Sequence, residues 1–507
     1  MKKSLLKMGL LGTALLFNVD GFSQTRYIDK VFADVTVQAN ITYGENFQVL
    51  TGAPVLIPLQ MDIYQPTGDN ATNRPLIVYL HTGSFLPPIV NGSTTGSRKD
   101  SATAEMCREF AKRGYVVASV SYRLGWNPQG SQEVRTGTIL NAVYRANQDV
   151  KTAIRYFRKE TAINNNPFGI DTTKVVVVGQ GTGGYAGLAA AYLDKTSELS
   201  LLKFLDPTTN LSYVNQAITG DFDGFGGAVG VVNNPNHPGY SSDFNMVINL
   251  GGAIGDTSWM EPGDIPTMAF HSVTDPFAPY TNGVVLVPGT TFQVIEVSGS
   301  AAFTARAQRL GLQVPMANPS LNDAISQKAN SMNGGVDGLY PLFITPATPQ
   351  AGPWEWWDST IIKQIVINPG NFSGATAHNN SMMTNQNMSK TKALAYIDTM
   401  QRYCAPRIVN VLGLPGNTVN VSELAVKEVN VSVYPNPATD YLTIRALGEN
   451  DRIRSIEVID VIGKRVRVEN NILESSYSLN RESLPAGMYF IRVITDKGQA
   501  THKVTFR

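Results

Sequence analysis

The sequence predicts an α/β protein with a doubly wound, mostly parallel sheet, followed by a small all-β domain. Three observations predict it. From Leu59 onward, short apolar runs alternate with helical stretches. The run VVVVGQGTGGY (Val175–Tyr185) passes from an apolar strand through glycines into an alanine-rich helix. After Val431 the apolar spacing changes to period two, with turn residues every few positions.

Taken in order, the chain opens on MKKSLLKMGLLGTALLFNVDGFSQ, with basic Lys2, Lys3 and Lys7 ahead of an apolar run from Leu5 to Phe17. That run is too short to span a bilayer, so residues 1–23 read as a signal peptide cut before Gln24. No later segment has the length and apolarity of a transmembrane anchor. LQMDIYQP, PLIVYLH and YVVASVSYRLG are predicted strands, with SATAEMCREFAKRG and NAVYRANQDVKTAIRYFRKE as helices between and after them. MVINLGG, PTMAFHSV and IKQIVINPG supply further buried strands, and IVNVLGL a last strand leading into a linker. The expected organisation is a domain over 24–410 with insertions near 196–244 and 280–359. A linker over 411–430 and a C-terminal domain over 431–507 follow. Insertions of that length act as lids or binding elements, or else as decoration.

Bulk properties exclude several partners. The 507 residues carry a formal net charge of +1 and only 16% charged side chains, with no basic patch. Nucleic acid and anionic membrane surfaces are therefore not expected to bind. The DFDGFGG run at Asp221 and Asp223 lacks the carboxylates of a calcium loop. No metal and no cofactor is expected.

The order and spacing of MDIYQP, YLHTGSF, RGYVVASVSYRLG, FGIDTTKVVVVGQGTGG and FHSVTDPFAPY resemble the carboxylesterase/lipase branch of the α/β-hydrolase superfamily. The resemblance implies an elbow of G-x-S-x-G form, a general acid–base histidine, an orienting carboxylate and a backbone oxyanion hole. Asp275, after an apolar strand, matches the acid, and His378, in a Gly/Asn-rich loop, matches the histidine. His81-Thr82-Gly83-Ser84 is a variant of the family's HGGG loop, so Gly83, Ser84 and Thr182 match the oxyanion donors. The changes at Thr82 and Ser84 read as mild, because those donors are backbone groups. His271 reads as a packing residue beneath the site.

The elbow itself departs from the pattern, reading Gly179-Gln180-Gly181-Thr182-Gly183. Glycine stands at the nucleophile position, and no Ser, Cys or Asp replaces it. The same run satisfies G-x-G-x-x-G through Gly179, Gly181 and Gly184, but no acidic residue ends a second strand downstream, against a dinucleotide site. The leading expectation is a degenerate hydrolase, a pseudoenzyme that binds an ester, glycan or peptide ligand. The alternatives are an active esterase using water activated by His378 and Asp275, and a structural surface protein with a vestigial pocket.

Trp354, Trp356 and Trp357 form either a stacking surface for a ligand or a pin for the second insertion. Cys107 and Cys404 lie in helices that the family packs on one sheet face, so they form one bridge or remain two buried thiols.

The tail reads VSVYPNP, YLTIRAL, SIEVIDVIGKRV, SYSLN, GMYFIRVITDKG and THKVTFR, as expected of an immunoglobulin-like β-sandwich. Tyr434-Pro435-Asn436-Pro437-Ala438, Asp440, Gly463-Lys464, Leu484, Gly487-Met488-Tyr489-Phe490 and Lys503-Val504 resemble the type A C-terminal sorting domain of type IX secretion substrates in the Bacteroidetes. That resemblance implies the type IX secretion machinery as partner and a secreted or cell-surface destination.

Overall fold

The computed structural model describes residues 25–50, 52–316, 321–345, 348–368, 370–415, 429–448, 450–461 and 465–507. The expected signal peptide, most of the linker and Gly463-Lys464 lie outside them. The chain divides into two compact units between Asn417 and Thr418.

The first unit is built on one sheet of eight strands in the order β1-β2-β4-β3-β5-β6-β7-β10. These are β1 (Val35–Val49), β2 (Pro54–Pro66), β3 (Arg74–Leu80), β4 (Val116–Val120), β5 (Ile170–Gln180), β6 (Met246–Leu250), β7 (Thr267–Ser272) and β10 (Leu339–Leu342). A separate hairpin of β8 (Asn282–Leu286) and β9 (Gln293–Ser298) lies between β7 and β10 in the chain. From β4 to β10 all neighbours are parallel, while β1–β2 and β2–β4 are antiparallel. The helices are α1 (Ser101–Lys112), α2 (Gln132–Ile163), α3 (Thr182–Tyr192), α4 (Gln216–Thr219), α5 (Ser300–Arg309), α6 (Ala324–Asn330), α7 (Ser359–Lys363), α8 (Gly374–Thr384) and α9 (Lys390–Leu412).

Strand periodicity divides the core between the two faces. Leu76, Val78 and Leu80 of β3, with Val175 and Val177 of β5, join the residues of α2 and α3 in one cluster. Ile77, Tyr79, Val176 and Val178 point the other way and pack with α1 and α9. Every residue of β3 is buried, which is why its sequence is a continuous apolar run rather than an alternating one.

One strand was not foreseen and three expectations change. β1 is a long strand that polar interruptions concealed, since one of its faces is largely exposed. IVNVL is not a strand but the end of α9, where Ile408, Val409 and Leu412 bury their β-branched and apolar side chains against the sheet. Tertiary burial overrides strand propensity there. IKQIVINPG contributes only the two-residue β11 (Val366–Ile367), paired with β12 (Phe372–Ser373). The 280–359 region carries β10, a strand of the main sheet, so it is more than an insertion.

Cys107 and Cys404 do lie on the same face, but both are buried free thiols. The Cys404 Sγ rests 3.6 Å from the Met268 Sδ, and the Cys107 thiol is drawn toward Ser119. Burial raises both thiols, that of Cys404 to about 12, so neither is a ready thiolate. No helix among the described residues is long and apolar enough to cross a membrane.

The second unit pairs a three-stranded sheet, β13-β14-β17, with a four-stranded one, β16-β15-β18-β19. The strands are β13 (Val431–Tyr434), β14 (Tyr441–Ala446), β15 (Ile453–Asp460), β16 (Arg465–Glu474), β17 (Ser476–Asn480), β18 (Gly487–Thr495) and β19 (Gln499–Phe506). Tyr489, Ile491 and Val493 alternate inward along β18 to meet Leu442, Ile444 and Leu479. Asn436 explains its place in the YPNPA motif. Its Oδ1 accepts from the Thr505 N–H at 3.0 Å and its Nδ2 donates to the Lys503 carbonyl at 2.8 Å. The motif thereby clasps the last strand.

Unfolding without reductant in the presence of iodoacetamide is expected to add a carbamidomethyl group to each of the two cysteines, read by mass spectrometry. A disulfide-linked mass would overturn the free-thiol assignment.

Candidate functional site

β3 leads through α1 to one side of the sheet, while β5 leads through α3 to the other. The crevice beyond the carboxyl ends of β3 and β5 is therefore the topological switch point, where open sheets place their ligands. The loop after β3 holds Thr82, Gly83 and Ser84, and the turn after β5 holds Gly181.

The elbow keeps its tight geometry. Gly181 has φ +52 and ψ −117, a conformation that strains any side chain. Its neighbours are glycine because the backbone is crowded. A Cβ on Gly179 would lie 2.2 Å from the Gly183 carbonyl oxygen, and one on Gly183 would lie 2.4 Å from that of Leu80. At Gly181 the obstacle is a side chain. A Cβ there would meet the Thr82 Oγ1 at 2.2 Å and the Thr82 Cβ at 3.0 Å. Thr82 is thus not a mild departure, since its hydroxyl fills the place where a nucleophile's side chain begins.

The loop after β3 is held in an uncommon conformation, with φ of 132 at Gly83, 54 at Ser84 and 51 at Phe85. Its carbonyls are all engaged. That of Gly83 accepts from Leu86 N–H (3.0 Å), that of Ser84 from the Trp126 indole (2.7 Å), and that of Phe85 from Gly125 N–H (2.7 Å). No acceptor among the described residues takes the N–H groups of Gly83, Ser84 or Thr182, and all three residues line one cavity of about 530 Å³.

That cavity is mostly apolar. Trp354, Trp126, Trp259 and Phe277 contribute to its wall, with polar Gln180, Asp275 and Glu355. Of the first insertion only Phe204 reaches it, whereas the β8–β9 hairpin supplies a side of it. Trp354 is the one member of its tryptophan trio in the wall. Trp356 is partly buried against the core, and Trp357 is spent on His378.

His378 lies in α8, not in a loop, and the structure does not bring it to Asp275. The Trp357 indole donates to His378 Nδ1 at 3.0 Å. Because that nitrogen accepts, a neutral His378 carries its proton on Nε2. A triad histidine needs the opposite tautomer, with Nδ1–H donating to the acid and Nε2 free to take a proton. His378 is also held below its ordinary value by desolvation and by Lys363. Among the described residues, no hydrogen bond or ion pair joins it to Asp275.

Asp275 has a different setting. Its Oδ1 accepts from Phe277 N–H (2.8 Å) and Ala278 N–H (3.1 Å), and its Oδ2 lies 3.8 Å from His271 Nε2. His271 Nε2 must carry a proton, because it faces the Ala278 carbonyl at 3.0 Å, so its Nδ1 accepts from the Ser300 hydroxyl at 2.7 Å. A serine, a histidine and an aspartate do meet here, yet Ser300 and His271 are both 0% exposed. His271 is therefore a structural residue, as its sequence position suggested.

Burial pushes Asp275 up to about 7, against the pull of its two backbone donors. Glu355, which the sequence did not single out, rises to about 8 through burial and then through the Asp100 and Asp275 carboxyls. Its Oε1 accepts from Gln180 Nε2 at 2.6 Å, and the Gln180 Oε1 accepts from Tyr79 OH at 3.1 Å. Only the position of Gln180 beside the elbow signalled this pair in the sequence.

The family described as BD-FAE matches residues 61–226, a stretch that holds Thr82 and Gly181 and ends before Asp275. A secretion system C-terminal sorting domain matches residues 432–507. No curated protein matches the chain. Similar solved structures include Thermogutta terrifontis esterase 2 phosphoramylated by tabun, 18% identical, covering 49% of this chain and 75% of that one, with a TM-score of 0.30. The same esterase phosphorylated by paraoxon is 19% identical, covering 51% and 77%, with a TM-score of 0.30. Its propionate-bound form, described as a thermophilic esterase from a Planctomycetes species, is 17% identical over 48% and 74%, with a TM-score of 0.28.

Two outcomes are expected. Gly181→Ser should lower stability by about 2 kcal/mol through overpacking and backbone strain, and adding Thr82→Gly should restore part of it, measured by chemical denaturation. A double variant no more stable than the single one would separate the two positions. Because Glu355 holds its proton to about 8 when folded and to 4.5 otherwise, the folded state binds more protons in that range. Its contribution to stability therefore falls as pH rises toward 8. The buried histidines, His81 and His271, are lowered to about 4 and stop contributing above their ordinary 6.5. Between about pH 6.5 and 8 the melting temperature of Glu355→Gln should thus fall less than that of the wild type. Parallel curves would contradict the raised carboxyl.

Proposed function

We propose that this chain, an esterase-family α/β-hydrolase domain joined to a type IX sorting domain that sends it to the cell surface or outside, is a degenerate hydrolase that binds its ligand without cleaving it. One observation carries the reading. Glycine stands at the nucleophile position, and the Thr82 hydroxyl lies where a Cβ on residue 181 would be and would have to shift to admit one.

What supports binding is the rest of the crevice. The cavity of about 530 Å³ lies within the usual range for small-molecule sites and keeps an aromatic wall. The free N–H groups of Gly83, Ser84 and Thr182 suit a ligand oxygen, such as an ester carbonyl, in the manner of an oxyanion hole without an oxyanion. A water-based esterase would need His378 as general base beside Asp275. The Trp357 hydrogen bond weighs against it, because it puts the proton on the nitrogen that would have to accept one.

The purified wild type is expected to resist labelling by a fluorophosphonate probe. It should also hydrolyse p-nitrophenyl acetate no faster than His378→Ala does. Robust turnover lost in His378→Ala would overturn the reading.

A further inference from the structure

The strongest unused feature of the molecule is the Asp275 carboxylate. Its side chain is only 5% exposed. Oδ1 is fully committed to the turn through Phe277 and Ala278, but no donor among the described residues reaches Oδ2. His271, the group closest in charge type, spends its one proton on the Ala278 carbonyl. A buried carboxylate without a partner is costly, and it is relieved by a proton, as the raised Asp275 shows, or by a cation.

None of the described residues that line the cavity is Lys, Arg or His. The cation is therefore not supplied by the wall. The Oδ2 atom opens beside aromatic surface instead. A point at the Cβ position of Gly251, itself a lining residue, lies 3.5 Å from Asp275 Oδ2 and 3.6 Å from the Trp354 Cη2. A carboxylate and an indole adjoining the same space suit an ammonium group, by charge on one side and aromatic contact on the other.

We propose that the elbow cavity recognises a ligand bearing an ammonium group, anchored on Asp275 Oδ2 and flanked by Trp354. The inference rests on the ligand-binding reading of the cavity and names the chemistry it selects. The groups facing Asp275 are neutral His271, the Tyr185 phenol and the Glu355 carboxyl. Because burial holds the empty carboxyl up to about 7, an ammonium ligand displaces its proton to the buffer below that pH. Amine affinity therefore rises from about pH 6 to pH 8.

Isothermal titration of the full mature chain with three matched probes tests this: 2-phenylethylammonium, 2-phenylethanol and 3-phenylpropionate. The amine is expected to bind roughly tenfold tighter than the alcohol, and the carboxylate weakest. Asp275→Asn keeps the Oδ1 acceptor for the turn and should bring the amine down to the level of the alcohol. Alcohol or carboxylate binding as tight as the amine, or an amine preference that survives Asp275→Asn, would overturn the ammonium inference alone. If none of the three binds, the ligand-binding reading fails together with it.

Discussion

The close approach of the β3 exit to the β5 elbow governs the whole crevice. Gly183 lies so near the Leu80 carbonyl that any side chain there would collide with it, and Gly179 lies equally close to the Gly183 carbonyl. Gly184 is held against the Asn249 side chain, where a Cβ would stand 2.1 Å from Oδ1. These contacts lock the amino end of α3 onto the neighbouring strands and bring residues 82 and 181 face to face. The Thr82 hydroxyl stands where a side chain on residue 181 would begin and would have to shift to admit one. The choice of threonine at 82 and glycine at 181 is a single packing solution written at two distant positions.

The site's electrostatics follow from the same burial. Desolvation drives the buried histidines toward their neutral forms and the cavity carboxyls toward theirs, so the crevice is poor in fixed charge. His81 is bound to the Thr82 carbonyl and stacks on Tyr122, whose hydroxyl in turn donates to the His81 carbonyl. His271 is bound between Ser300 and the Ala278 carbonyl. His378 is bound to Trp357. Each of these three imidazoles is occupied by a hydrogen bond that holds structure, and His271, which lies between Ser300 and Asp275, is fully buried with its serine.

Much of the architecture was legible because its signals are local. The apolar runs of β3, β5, β6 and β7 are buried on both faces, and the long helices between them show their periodicity plainly. The motifs of the sorting domain were equally legible, and Asn436 gives the physical reason for one of them. Other elements were hidden because their identity depends on neighbours. β1 is an exposed edge with polar interruptions, β10 is four residues within an irregular region, and the end of α9 is β-branched. The site divides in the same way. Asp275 reaches the cavity by following a sheet strand, whereas the placement of His378 depends on how α8 packs against Trp357.

By itself, the sequence determined the two-domain plan, the mostly parallel sheet, the sorting domain of the tail and the absence of a serine at the elbow. The sheet and the missing serine follow from periodicity and a short motif, and the sorting domain from the resemblance of its tail to a known family. Only the tertiary structure decided that the Thr82 hydroxyl stands beside Gly181, that His378 holds the wrong tautomer for a triad, and that no described donor hydrogen-bonds the Oδ2 of Asp275 in the cavity wall. Those facts depend on contacts between separate elements, from the 21 residues between Trp357 and His378 to the far longer stretch between Thr82 and Gly181, and no local pattern encodes them.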